Sequence, residues 1–263
     1  MKHHIIIYTL LLSAALPHPS KAAGDTTAVA PAVREWEDQS VLHVNRRPAR
    51  SWFMPFVNRR GDSEMSLNGE WEFRWAPTPA AVGTARWTTL HVPANWEVNG
   101  YGTPVYASAG YTFKVRPPFV MDEPKETFTT YIERNPTGEY RRTFRLPASW
   151  HGGHTFLRFD GVMSAFYVSI NGKAVGYSQG SNSPAEFDIT PFLKPGDNSI
   201  RLTVHKYSDA SYLEDQDGWR FGGVHRDITL FHTPSLHIRD IALRSIAADS
   251  TYRNFRLLVH PYL

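Results

Sequence analysis

The chain of 263 residues contains no cysteine. That absence excludes disulfides, thiolate catalysis and zinc sites built on cysteine, so the fold must be held by its core. Long apolar runs are almost as scarce. Residues 5–16 form one, too short to span a bilayer, between the basic start Lys2-His3-His4 and the small-x-small pattern Ser20-Lys21-Ala22. Residues 1–22 are therefore expected to be a secretory signal and to send the protein to the periplasm or outside the cell; a buried N-terminal strand or helix is the alternative. Cleavage after Ala22 would remove Lys2 and Lys21 and lower the formal charge of +3 by two. With the charge reduced to +1 and no dense Lys/Arg patch, nothing points to nucleic acid. No membrane span is expected once the signal is removed.

Catalytic signatures are missing as well. There is no His-Glu-x-x-His and no Gly-x-Ser-x-Gly. Gly222-Gly223 is too short for a phosphate loop and no Lys-Ser/Thr follows it. His151 and His154 read as surface residues, and His3 and His4 as part of the signal.

What the chain has is aromatic residues: 8 Trp, 12 Tyr and 15 Phe. They suit the core of a β-rich fold, and also a surface that stacks sugar rings. After a Thr/Ala/Pro lead-in (residues 23–34), residues 46–56 show neither helical nor strand period and read as an extended arm lying on the domain. Asn68-Gly69 signals a turn. Glu70-Trp71-Glu72-Phe73-Arg74-Trp75 then alternates with period two, predicting a half-buried strand with Trp71, Phe73 and Trp75 inward. Further strands are expected over residues 87–92, 140–146, 155–159, 166–170, 174–177, 199–204 and 228–231. Asn171-Gly172 is placed as a type I′ hairpin turn, and residues 187–193 as a short helical or turn segment. Short strands without a long amphipathic helix argue an antiparallel β-sandwich or jelly roll. After Pro234, residues 238–243 and 255–259 read as two strands of a second sandwich, which normally needs about seven.

The chemically dense stretch runs from Ser208 to Asp227. Glu214, Asp215 and Asp217 lie close in sequence, next to Trp219, Arg220, Phe221 and Arg226. In extended backbone Asp215 and Asp217 point the same way and offer oxygens suited to hard cations. The competing expectation is acids paired with Arg220 and Arg226. Glycines at 218, 222 and 223 are expected to serve positive φ. A glycosidase needs two opposed carboxyls, and Glu139 and Glu186 are the remaining candidates only because they lie near turns. No catalytic pair is expected within this chain. Trp96, Tyr101, Tyr106 and Tyr111 read either as core or as a stacking rim for a sugar.

Several separate motifs fall in a family's order: Val92-Pro93-Ala94-Asn95-Trp96-Glu97, Asn135-Pro136-Thr137-Gly138-Glu139-Tyr140, Asp160-Gly161-Val162-Met163-Ser164-Ala165-Phe166, Asn171-Gly172-Lys173-Ala174-Val175-Gly176-Tyr177-Ser178, and residues 211–217 with Trp219-Arg220. Over residues 35–263 the chain resembles the N-terminal part of glycoside hydrolase family 2, above all the large bacterial β-galactosidases. The resemblance implies an all-β chain: a sugar-binding jelly roll over 35–235, then the first strands of an incomplete immunoglobulin-like domain over 236–263. It implies a retaining β-galactosidase-like enzyme whose catalytic glutamates sit in a (β/α)₈ barrel absent from this chain, which alone is expected to be inactive. It also implies Na⁺ and Mg²⁺, with most ligands outside the chain, and a β-galactoside or related glycan as partner. A homo-oligomer is left open for the full-length protein. By position Asp217 is the acid expected to contact both the galactosyl unit and a sodium ion, and Trp219 is a further substrate-contact candidate. The family's asparagine contact falls near Ser108, whose hydroxyl cannot reproduce an amide's paired donor and acceptor; strict galactose preference is weakened accordingly. A free-standing carbohydrate-binding module without catalysis is the alternative reading. A truncated reading frame, or a subunit completed by a separate barrel, is a third.

Overall fold

A computed structural model describes residues 34–51, 63–121, 123, 125–126 and 132–263. The expected signal segment, residues 23–33 of the lead-in and residues 52–56 of the expected arm lie outside the described residues. Strands β1 (His43–Val44), β2 (Glu64–Ser66), β3 (Gly69–Ala76), β4 (Thr88–Val92) and β5 (Val105–Ala107) open the chain. The central run is β6 (Thr137–Arg145), β7 (His154–Phe159), β8 (Val162–Met163), β9 (Ala165–Ile170), β10 (Lys173–Gln179), β11 (Ala185–Asp188) and β12 (Asp197–His205). Then follow β13 (Gly218–Arg220), β14 (Gly223–Val224), β15 (Ile228–Thr233), β16 (Asp240–Ala247) and β17 (Phe255–Tyr262). Among the described residues the helical segments are short 3-10 turns.

The fold is all-β and every strand pairing is antiparallel. A seven-stranded sheet, in the order β1-β10-β9-β12-β6-β3-β4, faces a four-stranded sheet, β11-β7-β15-β2. The core lies between them because each strand presents one face inward. From the larger sheet come Trp71, Phe73, Tyr140, Phe166, Val168, Ile200, Leu202 and Val204; from the smaller come Leu157, Phe159, Phe187, Ile228 and Leu230.

The alternation predicted over residues 70–75 buries Trp71 and Phe73, but Trp75 is only half-buried at the margin of the core. At Asn171-Gly172 both residues take positive φ (52° and 76°), as a type I′ turn requires. The segment 187–193 divides: Phe187 and Asp188 finish β11, and a 3-10 turn covers Thr190–Phe192.

The arm runs without regular secondary structure over residues 46–50, after a left-handed Asn45 (φ 57°), and is tied to both sheets. Asn45 donates to the Val175 carbonyl and Arg46 to Ser178 at the edge of the large sheet. The Arg47 backbone donates to the Glu186 carbonyl, and its guanidinium lies over Phe156 on the outer face of the small sheet. There Arg50 and Arg158 share the Glu186 carboxylate, both at 2.9 Å, with all three side chains at least 92% buried. β16 and β17 pair with each other in a hairpin, in which every residue of β17 is exposed.

Candidate functional site

The stretch 208–227 begins with a capping box. The Ser208 backbone donates to Ser211 Oγ while Ser208 caps the 3-10 turn Asp209–Tyr212. Each acid beyond it has its own partner. Glu214 accepts from the backbone N–H and the hydroxyl of Ser181, at 2.7 and 2.6 Å. Asp215 accepts from the Gly110 N–H at 3.0 Å and from Arg220 at 2.6 Å. These bonds hold the loop in shape. Asp215 and Asp217 therefore do not converge on one ligand, and the expected Arg220 pairing falls on Asp215 alone. Arg226 donates instead to Asn182.

Asp217 stands apart. It is exposed at the start of a two-stranded ribbon in which Gly218, Trp219 and Arg220 of β13 face Ala107, Tyr106 and Val105 of β5. Tyr106 Oη donates to Asp217 Oδ1 at 2.5 Å, and that hydrogen bond to a carboxylate raises the phenol's pKa. Ser108 follows Ala107, so the register sets it opposite Asp217 at the same end of the ribbon. The Trp219 ring meets Tyr106 edge-on at 5.6 Å and stacks on Phe221 at 5.6 Å. Trp219 keeps 54% of its surface exposed. Asp217, Ser108 and Trp219, named separately from the sequence, thus share one ribbon. Behind it lies a cavity of about 180 Å³, lined in part by Asp217, Trp219, Phe221, Ser164, Ser181 and Asn182.

The four aromatics Trp96, Tyr101, Tyr106 and Tyr111 take different roles. Trp96 is fully buried, Tyr101 packs edge-on against Phe73 at 5.0 Å, Tyr111 borders the cavity, and Tyr106 alone forms a rim. The expectation that three glycines serve positive φ is corrected. Gly223 does so, at φ +112°. Gly222 is needed because a Cβ would stand 2.2 Å from Trp96, and a Cβ on Gly218 would meet nothing within 4 Å.

Sequence reasoning missed what holds the ribbon from below. Glu97 and Lys206 form an ion pair at 2.8 Å with side chains 0% and 1% exposed. Burial pushes the Glu97 carboxyl up, against the pull of the Lys206 ammonium. One available signal was strand parity: Ile200, Leu202 and Val204 point inward, so Lys206 falls on the inward phase.

Glu139 is bound by Arg74 and Arg201 on the large sheet, and Glu186 by Arg50 and Arg158 on the small one. Both acids are structural ion-pair partners, and neither lines the cavity that Asp217 lines. Among the described residues no three His, Asp or Glu side chains group as a metal site. Asp217 could give Na⁺ or Mg²⁺ one carboxylate, and the described residues do not group further ligands around it.

Comparison with known proteins gives a family. The pattern described as "Glycosyl hydrolases family 2, sugar binding domain" matches residues 65–234. Among solved structures, the chain is similar to a β-glucuronidase from an uncultured Clostridium sp., at 17% identity and TM-score 0.53, over 80% of this chain and 35% of that one. A Ruminococcus gnavus β-glucuronidase in complex with D-glucaro-d-lactam matches at 18% identity and TM-score 0.50, over 74% and 33%. A Bacteroides uniformis β-glucuronidase matches at 25% identity and TM-score 0.46, over 65% and 18%. The chain thus spans about a fifth to a third of the length of the solved structures it matches.

Proposed function

The chain belongs to glycosyl hydrolase family 2 and carries its sugar-binding domain, and we propose that it is the N-terminal part of an exported β-galactosidase-like enzyme. In this reading Asp217 forms one wall of a pocket whose catalytic glutamates, and the ligands of any Na⁺ or Mg²⁺, belong to a barrel outside the chain. The carrying observation is the exposed Asp217 carboxylate, fixed by Tyr106 and flanked by Ser108 and Trp219. A carboxylate of this kind accepts hydrogen bonds from vicinal sugar hydroxyls, and the Trp219 face can stack on the apolar face of a pyranose.

Charge supports a neutral sugar over a uronate. Arg220 is engaged by Asp215 and Lys206 by Glu97, while neither Glu214 nor Asp217 takes part in an ion pair among the described residues. Arg226, which donates to Asn182 at the cavity, offsets one of these two charges; the single negative excess that remains sits on the exposed Asp217 side and disfavours a sugar carboxylate there. The N-terminal signal pattern supports export.

Two measurements test the reading. Titration with methyl β-galactoside, followed by NMR, should shift the Trp219 indole signal in the wild type and not in Asp217→Ala. An unshifted Trp219 at saturating sugar would remove the support for contact at the ribbon. The isolated chain should not hydrolyse nitrophenyl β-galactoside; turnover that disappears in Asp217→Ala would place the chemistry here instead.

A further inference from the structure

The ribbon carrying Asp217 is short. Three residue pairs cannot hold a two-stranded ribbon rigid in water, yet the proposed contact requires a fixed carboxylate. Both strands are gripped from inside the core at one point. Glu97 Oε2 accepts from the Gly222 N–H at 3.0 Å, two residues past the end of β13. Its other oxygen meets Lys206 Nζ at 2.8 Å. Lys206 Nζ donates in turn to the Thr103 carbonyl at 3.0 Å, two residues before β5. The Thr103 hydroxyl donates to Glu133 at 2.8 Å, which fixes the same corner again.

A buried ion pair is a poor source of stability, because removing both charges from water costs about as much as their attraction returns. Its value here is geometric. It joins the exit of one ribbon strand to the entry of the other through an ion pair flanked by two directed hydrogen bonds, one from the Gly222 N–H to Glu97 and one from Lys206 to the Thr103 carbonyl. We infer that Glu97 and Lys206 are positioning residues, a buried clamp that sets the register and stance of the ribbon and thereby the place of Asp217, Tyr106 and Trp219. The inference rests on the reading of Asp217 as a sugar contact for its functional meaning, but the clamp itself can be tested without any sugar.

Glu97→Gln alone leaves Lys206 buried beside a neutral amide and is expected to lower overall stability. The informative protein is the double variant Glu97→Gln/Lys206→Met, which removes both charges at similar volume and should remain folded. The introduced amide can still accept from Gly222, whereas the tie to Thr103 is lost. Amide hydrogen exchange in β5 and β13 should then accelerate on the order of tenfold or more, with β6 and β12 unchanged. The nuclear Overhauser contact between the Tyr106 and Trp219 rings, 5.6 Å apart in the intact protein, should weaken or vanish. Unchanged ribbon exchange with the ring contact retained would overturn the inference. Uniform acceleration across ribbon and core, or failure of the double variant to fold, would also overturn it by making the pair an ordinary stability element. Failure of the galactoside titration would leave these readouts untouched, so the two ideas fail separately.

Discussion

At the scale of single residues, neighbours decide which glycines matter. Gly222→Ala would drive a methyl group to 2.2 Å from the Trp96 indole. It should cost about 1–3 kcal/mol as overpacking, read as a fall in the urea midpoint. Gly218→Ala meets open space and should stay within about 0.5 kcal/mol of wild type. His205 gives a second residue-level test. Its ring is buried, stacks on Trp36 at 4.0 Å and shares a hydrogen bond with Thr137 at 3.0 Å. Burial lowers its pKa to about 3 from an ordinary 6.5. The fold thus favours the neutral ring, and that contribution is complete above pH 6.5 and is lost as pH falls toward 3. Each pH unit inside that window should remove up to about 1.4 kcal/mol. His205→Gln should flatten the decline in stability measured between pH 6.5 and 4, apart from whatever the variant costs at neutral pH.

At the scale of elements, the arm and the small sheet meet at a buried charge cluster. Glu186 receives Arg50 and Arg158, both at 2.9 Å. Glu186→Gln would leave Arg50 facing a neutral amide, while Arg158 keeps Asp160 at 2.6 Å and Arg50 keeps the Arg239 carbonyl; it should cost about 1–3 kcal/mol, measured by denaturant unfolding. This is an element the sequence showed only in outline. The arm was legible as irregular chain because residues 46–50 have neither period, but its partner was not, since Glu186 lies far along the chain and reads as one more acid near a turn. The long strands were legible for a plain reason: Trp71 and Phe73, or Ile200, Leu202 and Val204, repeat at the pleat of a half-buried strand. The ribbon was not. Val105–Ala107 and Gly218–Arg220 are three residues each, too short for any period to appear. Asp217 stands out in the acid-rich stretch beside Trp219, but only family resemblance singles it out from its neighbours and names Ser108 at all. That they share one ribbon came from pairing register, and that a Glu97–Lys206 pair holds it came from contacts distant in sequence.

At the scale of the molecule, two sheets enclose a core that needs no disulfide, while the residues proposed to contact a sugar sit on a small two-stranded ribbon, β5–β13. Rigidity and chemistry are thus supplied by different parts of the chain, joined by the buried clamp. The hairpin β16–β17 is a contrasting case. Its apolar side chains Leu243, Phe255, Leu257, Leu258 and Val259 are 49–65% exposed, and a two-stranded hairpin is marginal by itself. Its amides should exchange orders of magnitude faster than those of β6 and β12, which amide exchange read by mass spectrometry would check.

That hairpin has a consequence for the protein as a substance in solution. Among the described residues no strand pairs with the two outer edges of the β16–β17 ladder, which present peptide N–H and C=O groups beside apolar side chains, a template on which another strand can grow. The chain in isolation should therefore self-associate with rising concentration, a tendency visible as an increasing sedimentation coefficient. Lysines at Leu243 and Leu257 should suppress it by making strand addition electrostatically unfavourable, without touching the sandwich. A sedimentation coefficient independent of concentration in the wild-type chain would show that the hairpin edges are inert.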